Sequence, residues 1–108
     1  MRHILFLIAL AAASPAVAAA TADPAVERGR DVAQRHCAEC HALGSGHGDH
    51  GDGPSFAVLR LRYNELSLSR RIKAVSRGEH GGMRPILISD TDRRDLIRYI
   101  ESLGPEAP

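Results

Sequence analysis

An all-α fold, with three or more short helices and no sheet, is predicted by three observations. Apolar residues recur at helical spacing in the segments around Val26–Cys37, Leu68–Val75 and Leu96–Leu103, three or four residues apart. Helix start signals and stop signals bracket these stretches. No segment reads as a convincing strand beside these helical stretches.

The elements follow in order. Met1-Arg2-His3 is a short basic start, Ile4–Ala13 an apolar run, and Ser14-Pro15 a break before the small residues Ala16–Ala20. That is the layout of a secretory signal peptide, and the apolar run is short for a bilayer span. Residues 1–20 are expected to be this leader, cleaved after Ala18 or Ala20, with the folded domain over 21–108. An uncleaved membrane anchor is the alternative.

Asp23-Pro24 supplies an N-cap and a proline at the first helical position. Val26, Gly29, Ala33 and Cys37 then mark one helical face. Gly29 inside it costs on the order of 1 kcal/mol against Ala, a cost that close approach of another helix would explain. Residues 44–54, rich in Gly and Asp, are a loop. Ser55–Tyr63 is expected to hold a short helical piece with Phe56, Val58, Leu59 and Leu61 as its apolar positions. Ser67 or Ser69 is expected to cap a helix carrying Leu68, Ile72 and Val75, with Gly78 as its stop. A second loop runs from His80 to Pro85. Ser89-Asp90-Thr91-Asp92 resembles a capping box ahead of the stripe Leu96, Tyr99, Ile100 and Leu103, which Gly104-Pro105 ends.

Composition narrows the function. Removing residues 1–20 takes one of the 14 basic residues, Arg2, and none of the 13 acids, leaving 13 of each. A neutral chain argues against nucleic acid as a partner. With no Trp, two Tyr and, outside the leader, one Phe, so small a domain has a thin core of its own and needs a staple.

Cys37-Ala38-Glu39-Cys40-His41 supplies one. C-x-x-C-H is the attachment signature of a c-type haem. Each thiol can form a thioether with a porphyrin vinyl group, and the histidine can ligate the iron. On a helix, residues three and four apart share a face, so Cys37, Cys40 and His41 are expected to address one flat ligand. A disulfide or a thioredoxin-like pair would also use two cysteines, but the latter expects strands around it. A zinc site would need a second Cys/His pair, and there is no further cysteine.

The iron's sixth position needs a donor. Met83, the one methionine outside the leader, lies in a Gly-rich loop, where a thioether suits a soft ligand. Methionine–histidine ligation raises the reduction potential and favours a carrier. His80, His47 and His50 are the competitors. The stretch His47–Asp52 could bind a second metal, at a large ordering cost.

These features together resemble the class I c-type cytochromes over residues 24–104. The haem motif after an N-terminal helix, Gly53-Pro54-Ser55-Phe56, the loop Gly78–Met83 with Pro85, and the terminal helix Leu96–Leu103 carry the resemblance. It implies a small cytochrome c fold, its helices wrapped around one covalently attached haem c. It also implies that Gly29 lets the first helix cross the last against Leu96 and Tyr99, and that the Pro54 carbonyl accepts the proton of the His41 nitrogen not bound to iron. Arg84 separates Met83 from Pro85, where the family often has Met-Pro, and the missing tryptophan favours the smaller bacterial members.

The function expected is periplasmic electron transfer, not enzymatic catalysis. The cofactor is one haem held by Cys37 and Cys40, with His41 proximal and Met83 distal to the iron. Partners are a redox donor and acceptor, docked transiently, without nucleic acid and without a membrane span in the mature protein. Arg60, Arg62, Arg70, Arg71, Lys73 and Arg77, against Glu65, form either a solvated helix side or a partner-facing patch. Two other functions compete. One is a cytochrome subunit of a membrane or periplasmic dehydrogenase or oxidase complex. The other is a haem peroxidase or gas sensor with an open sixth site.

Overall fold

The computed structural model describes residues 12–15, 23–44 and 53–104. Four helices make up the fold: α1 Pro24–His36, α2 Phe56–Arg62, α3 Glu65–Ser76 and α4 Asp90–Ser102, with no strand among the described residues. The all-α expectation therefore holds. The expected leader lies outside the described residues except for 12–15, and the cleavage points and the His47–Asp52 stretch lie wholly outside them.

α1 begins as its sequence dictates. The Asp23 carboxylate accepts from the Ala25 N–H at 2.9 Å, with Pro24 at the first position. It buries Gly29, Val32 and Ala33 against α4, its most extensive partner. The two helices cross where Gly29 has no side chain: a Cβ there would lie 1.9 Å from the Asp95 carbonyl oxygen and 2.8 Å from Tyr99 Cβ. Close approach thus accounts for the glycine. Its nearest neighbours are the Asp95 backbone and Tyr99, rather than Leu96.

An ion pair reinforces the crossing. The Arg28 Nε donates to an Asp95 oxygen at 2.8 Å, and the Asp95 side chain is 8% exposed. Arg98 of α4 donates to the capping Asp23 at 3.1 Å, so α1 is pinned at its start as well as its middle.

Two helix starts differ in detail from the sequence expectation. α3 is capped by Asn64, whose Oδ1 accepts from the Ser67 N–H at 2.9 Å, and not by Ser67 or Ser69. Asn64 is as good a cap as serine and comes first in the chain. α2 is capped by Ser55 and buries Phe56 and Ala57, while Leu61 is 64% exposed. A helix of seven residues turns too little of its surface inward to cover every apolar position. α4 opens with Ser89 accepting from the Asp92 N–H at 3.0 Å, one half of a capping box. Leu96, Ile97, Tyr99 and Ile100 are buried there, with Leu103 packed beside them.

Candidate functional site

The haem motif does not continue α1. The helix stops at His36, and Cys37 takes up the C-cap, its N–H donating to the Ala33 carbonyl at 2.8 Å. One separate turn follows: the N–H groups of Cys40 and His41 both donate to the Cys37 carbonyl, at 3.2 and 2.9 Å. The expectation of a shared helical face is corrected to a shared single turn. The outcome for the side chains is the same, because the turn keeps the three- and four-residue bonding that brings them together.

Cys37, Cys40 and His41 line a cavity of about 490 Å³ together with Met83, so the four residues singled out by the sequence share one site. That volume lies within the range of about 300–1,000 Å³ usual for ligand sites. The rest of the wall is mostly apolar: Phe56 and Leu59 from α2, Leu68, Ile72 and Val75 from α3, Leu96 and Ile100 from α4. His80 and Arg71 also line it.

The ring of His41 is fixed from behind. Its Nδ1 lies 2.7 Å from the Pro54 carbonyl oxygen. A carbonyl only accepts, so Nδ1 is the donor in this bond, and Nε2 is the ring nitrogen it leaves unengaged. Gly53 makes this possible in a way the sequence did not announce. A Cβ at Gly53 would sit 2.6 Å from His41 Cε1 and 2.7 Å from Nδ1, so any side chain there would push the ring away. Phe56 braces the same ring at 5.6 Å between centroids and in turn meets Tyr99 at 6.3 Å. The Tyr99 hydroxyl donates to the Leu43 carbonyl at 3.1 Å, tying α4 to the segment just after the motif.

Both cysteines are free thiols. Burial pushes the Cys37 thiol up to about 11, so it is protonated at neutral pH and behaves as part of an apolar wall. Burial also pushes the His80 imidazole below its ordinary pKa, with the His41 and Arg71 charges adding to the effect. Among the described residues no cluster of three or more His, Cys, Asp or Glu could hold a metal ion. An apolar slot with two thiols, an imidazole and a thioether at its edge fits a flat, apolar, iron-bearing macrocycle far better than a bare cation.

The basic run over residues 60–77 is divided by the fold. Arg60 donates to the Glu101 carbonyl, Arg77 pairs with Glu79, and the Arg71 guanidinium lies 4.0 Å over the Tyr63 ring. Arg62, Arg70 and Lys73 remain exposed. No helix among the described residues is long and apolar enough to cross a membrane.

Four short helices around an apolar cavity with a C-x-x-C-H turn at its edge define an electron-transferring c-type cytochrome of class I. The chain belongs to the family described as cytochrome c oxidase, cbb3-type, subunit III, which matches residues 24–100. It is 32% identical over 106 residues to cytochrome c-552 of Bradyrhizobium diazoefficiens, a match covering 97% of this chain and 96% of that protein. No solved structure matches it significantly. Membership of this family implies haem c as the cofactor and redox proteins as partners.

Proposed function

We propose that the chain is a periplasmic one-electron carrier with a single haem c, bound through thioethers by Cys37 and Cys40, and with His41 and Met83 as its axial ligands. One observation carries this: two free thiols, an imidazole with one free nitrogen and a thioether line the same apolar cavity. Cys37 and Cys40 would hold the haem by adding their S–H across its vinyl groups, sulfur to one carbon and hydrogen to its neighbour, an addition that would consume no oxidant. The bound group supplies a one-electron ferric–ferrous couple.

The chain's own residues set the terms of that couple. The Pro54 carbonyl holds the His41 Nδ1 proton, which fixes the ring and makes Nε2 a better donor. The apolar wall excludes water and lowers the local dielectric. The Met83 thioether, paired with His41, raises the potential into the range of a carrier. With His41 and Met83 both holding the iron, no position on it would be left for a substrate, as suits a carrier rather than an enzyme.

Residues 1–20 act as the export signal and 21–108 as the mature cytochrome domain. Docking with the electron donor and acceptor is transient and electrostatically guided, and the exposed Arg62, Arg70 and Lys73 are among the cations that could take part. A second function, as a subunit of a membrane or periplasmic dehydrogenase or oxidase complex, is favoured by the description of the matching family. Purification as a readily reducible monomer supports the free carrier; obligate copurification with a larger complex supports the subunit.

Visible absorption spectra of the purified protein, oxidised and reduced, with and without carbon monoxide, test the site. A six-coordinate low-spin c-type spectrum that carbon monoxide leaves unchanged on mixing is expected. Rapid carbon monoxide binding by the reduced protein would remove Met83 from the sixth position.

A further inference from the structure

We propose that His80 is a second axial donor, placed to take the iron's sixth position when Met83 leaves it. The inference rests on the proposed haem attachment through Cys37, Cys40 and His41, and goes beyond it by giving the distal side two donors instead of one.

The ring centres of His41 and His80 are 6.0 Å apart, with planes inclined by 32°. Two imidazoles holding one metal ion from opposite sides have their centres roughly 6 Å apart, since each metal–nitrogen bond is about 2 Å and each ring centre lies about 1 Å further out. The spacing between these rings is therefore that of an axial pair.

Local backbone explains why two donors reach one cavity. His80 and Met83 are the two ends of a single tight turn, closed by the Met83 N–H donating to the His80 carbonyl at 2.9 Å. Its central residues, Gly81 and Gly82, have φ of +53° and +75°, the left-handed pair that a type I′ turn requires. Both flanking side chains line the cavity, and neither glycine has a neighbour within 4 Å of where a Cβ would be. The two glycines at the centre of the turn therefore carry no packed side chain that a tilt of the turn would have to displace.

The exchange is balanced without an external reagent. The iron–sulfur bond breaks, an iron–nitrogen bond forms to the neutral imidazole, and no electron is transferred. An imidazole in place of a thioether lowers the reduction potential, so the turn would hold the protein in one of two redox settings.

The test compares purified Met83→Ala and Met83→Ala/His80→Ala holoproteins with the wild type. Spin state is read by electron paramagnetic resonance and magnetic circular dichroism, and carbon monoxide binding by rapid mixing. Met83→Leu backgrounds replace the Ala ones if the smaller side chain prevents folding. The expected result is that Met83→Ala stays six-coordinate and low-spin with a lowered potential. The double variant becomes high-spin and binds carbon monoxide faster, on the order of tenfold or more, because no local donor has to be displaced first. If the single and double variants are both high-spin and bind carbon monoxide alike, the His80 inference is overturned and the Met83 assignment stands. A wild type that shows two imidazole ligands and no thioether would overturn the Met83 assignment while supporting His80. A wild type that retains no haem would overturn both.

Discussion

Gly29→Ala is the sharpest test of the packing. A methyl group at position 29 would begin 1.9 Å from the Asp95 carbonyl oxygen, 2.5 Å from its carbon and 2.8 Å from Tyr99 Cβ. Ordinary contact begins near 3.4 Å, so α4 would have to retreat by about 1.5 Å, and the obstacle is helix backbone, which cannot rotate aside as a side chain could. That retreat opens the layer formed by Val32, Ala33, Leu96 and Ile100, each at most 2% exposed. Overpacking of this kind costs about 1–3 kcal/mol, and a gap of 0.5–1 Å forfeits roughly a quarter to a half of each dispersion contact. Alanine's better helix propensity returns about 1 kcal/mol. The balance is a loss of about 1 kcal/mol, or a Tm lower by about 4–8 °C for a domain of this size. Thermal unfolding of the holoprotein followed by far-ultraviolet circular dichroism measures it. Gly44→Ala is the control, because nothing lies within 4 Å of a Cβ there, and it should change stability by less than about 0.5 kcal/mol. A Gly29→Ala protein as stable as the wild type, or more so, would refute the close crossing of α1 and α4.

Three further predictions come from other parts of the structure. Gly53→Ala should displace the His41 ring from the Pro54 carbonyl and lower the reduction potential; an unchanged voltammogram and an unchanged haem content would show that the ring does not need the gap. Arg28→Ala should lower stability, because it strands the buried Asp95 carboxylate, and Asp95→Asn should relieve much of that loss in the double variant; equal losses in the Asp95 and Asp95→Asn backgrounds would remove the ion pair from the account. The Ala25 N–H and the Arg98 guanidinium hold the Asp23 carboxyl below its ordinary pKa of 3.8. A depressed pKa means that the folded protein releases this proton more readily than the unfolded chain, so its stabilisation is complete above about pH 4 and disappears as the pH falls through the lower folded value. Asp23→Asn should therefore flatten the acid limb of the stability curve, and an unaltered limb would refute the contribution.

Local signals were legible in the sequence, and long-range ones were legible only where a motif carried them. Asp23-Pro24 and Ser89 mark helix starts because a cap is a contact between residues two or three apart. The cap at Asn64 escaped notice because Ser67 and Ser69 offer the same chemistry a few residues later, and propensity alone does not rank them. Leu61 counts among the apolar positions of its segment, yet a single short helix leaves one side to solvent. The haem motif and Met83 were legible because their chemistry is unusual. The gap at Gly53, the burial of Asp95 against an arginine 67 residues away in sequence, and the pairing of the His41 and His80 rings depend on how distant segments pack, which periodicity does not encode.

The crossing of α1 and α4 also defines what kind of object the chain is in sequence space. The chain between the two helices, which carries the C-x-x-C-H turn and the turn that presents Met83, is closed into a loop whose most extensive fastening is this crossing. Within one chain the crossing closes at the high effective concentration of a tether, for a loop entropy that grows only logarithmically with its length. A peptide-bond break between Gly44 and Gly53 would leave α1 and the haem motif on one piece and α2, α3, Met83 and α4 on the other. The crossing would then become part of the interface of a two-fragment complex, together with the His41–Pro54 and Tyr99–Leu43 bonds, and the change in affinity on Gly29→Ala would isolate the share of the crossing.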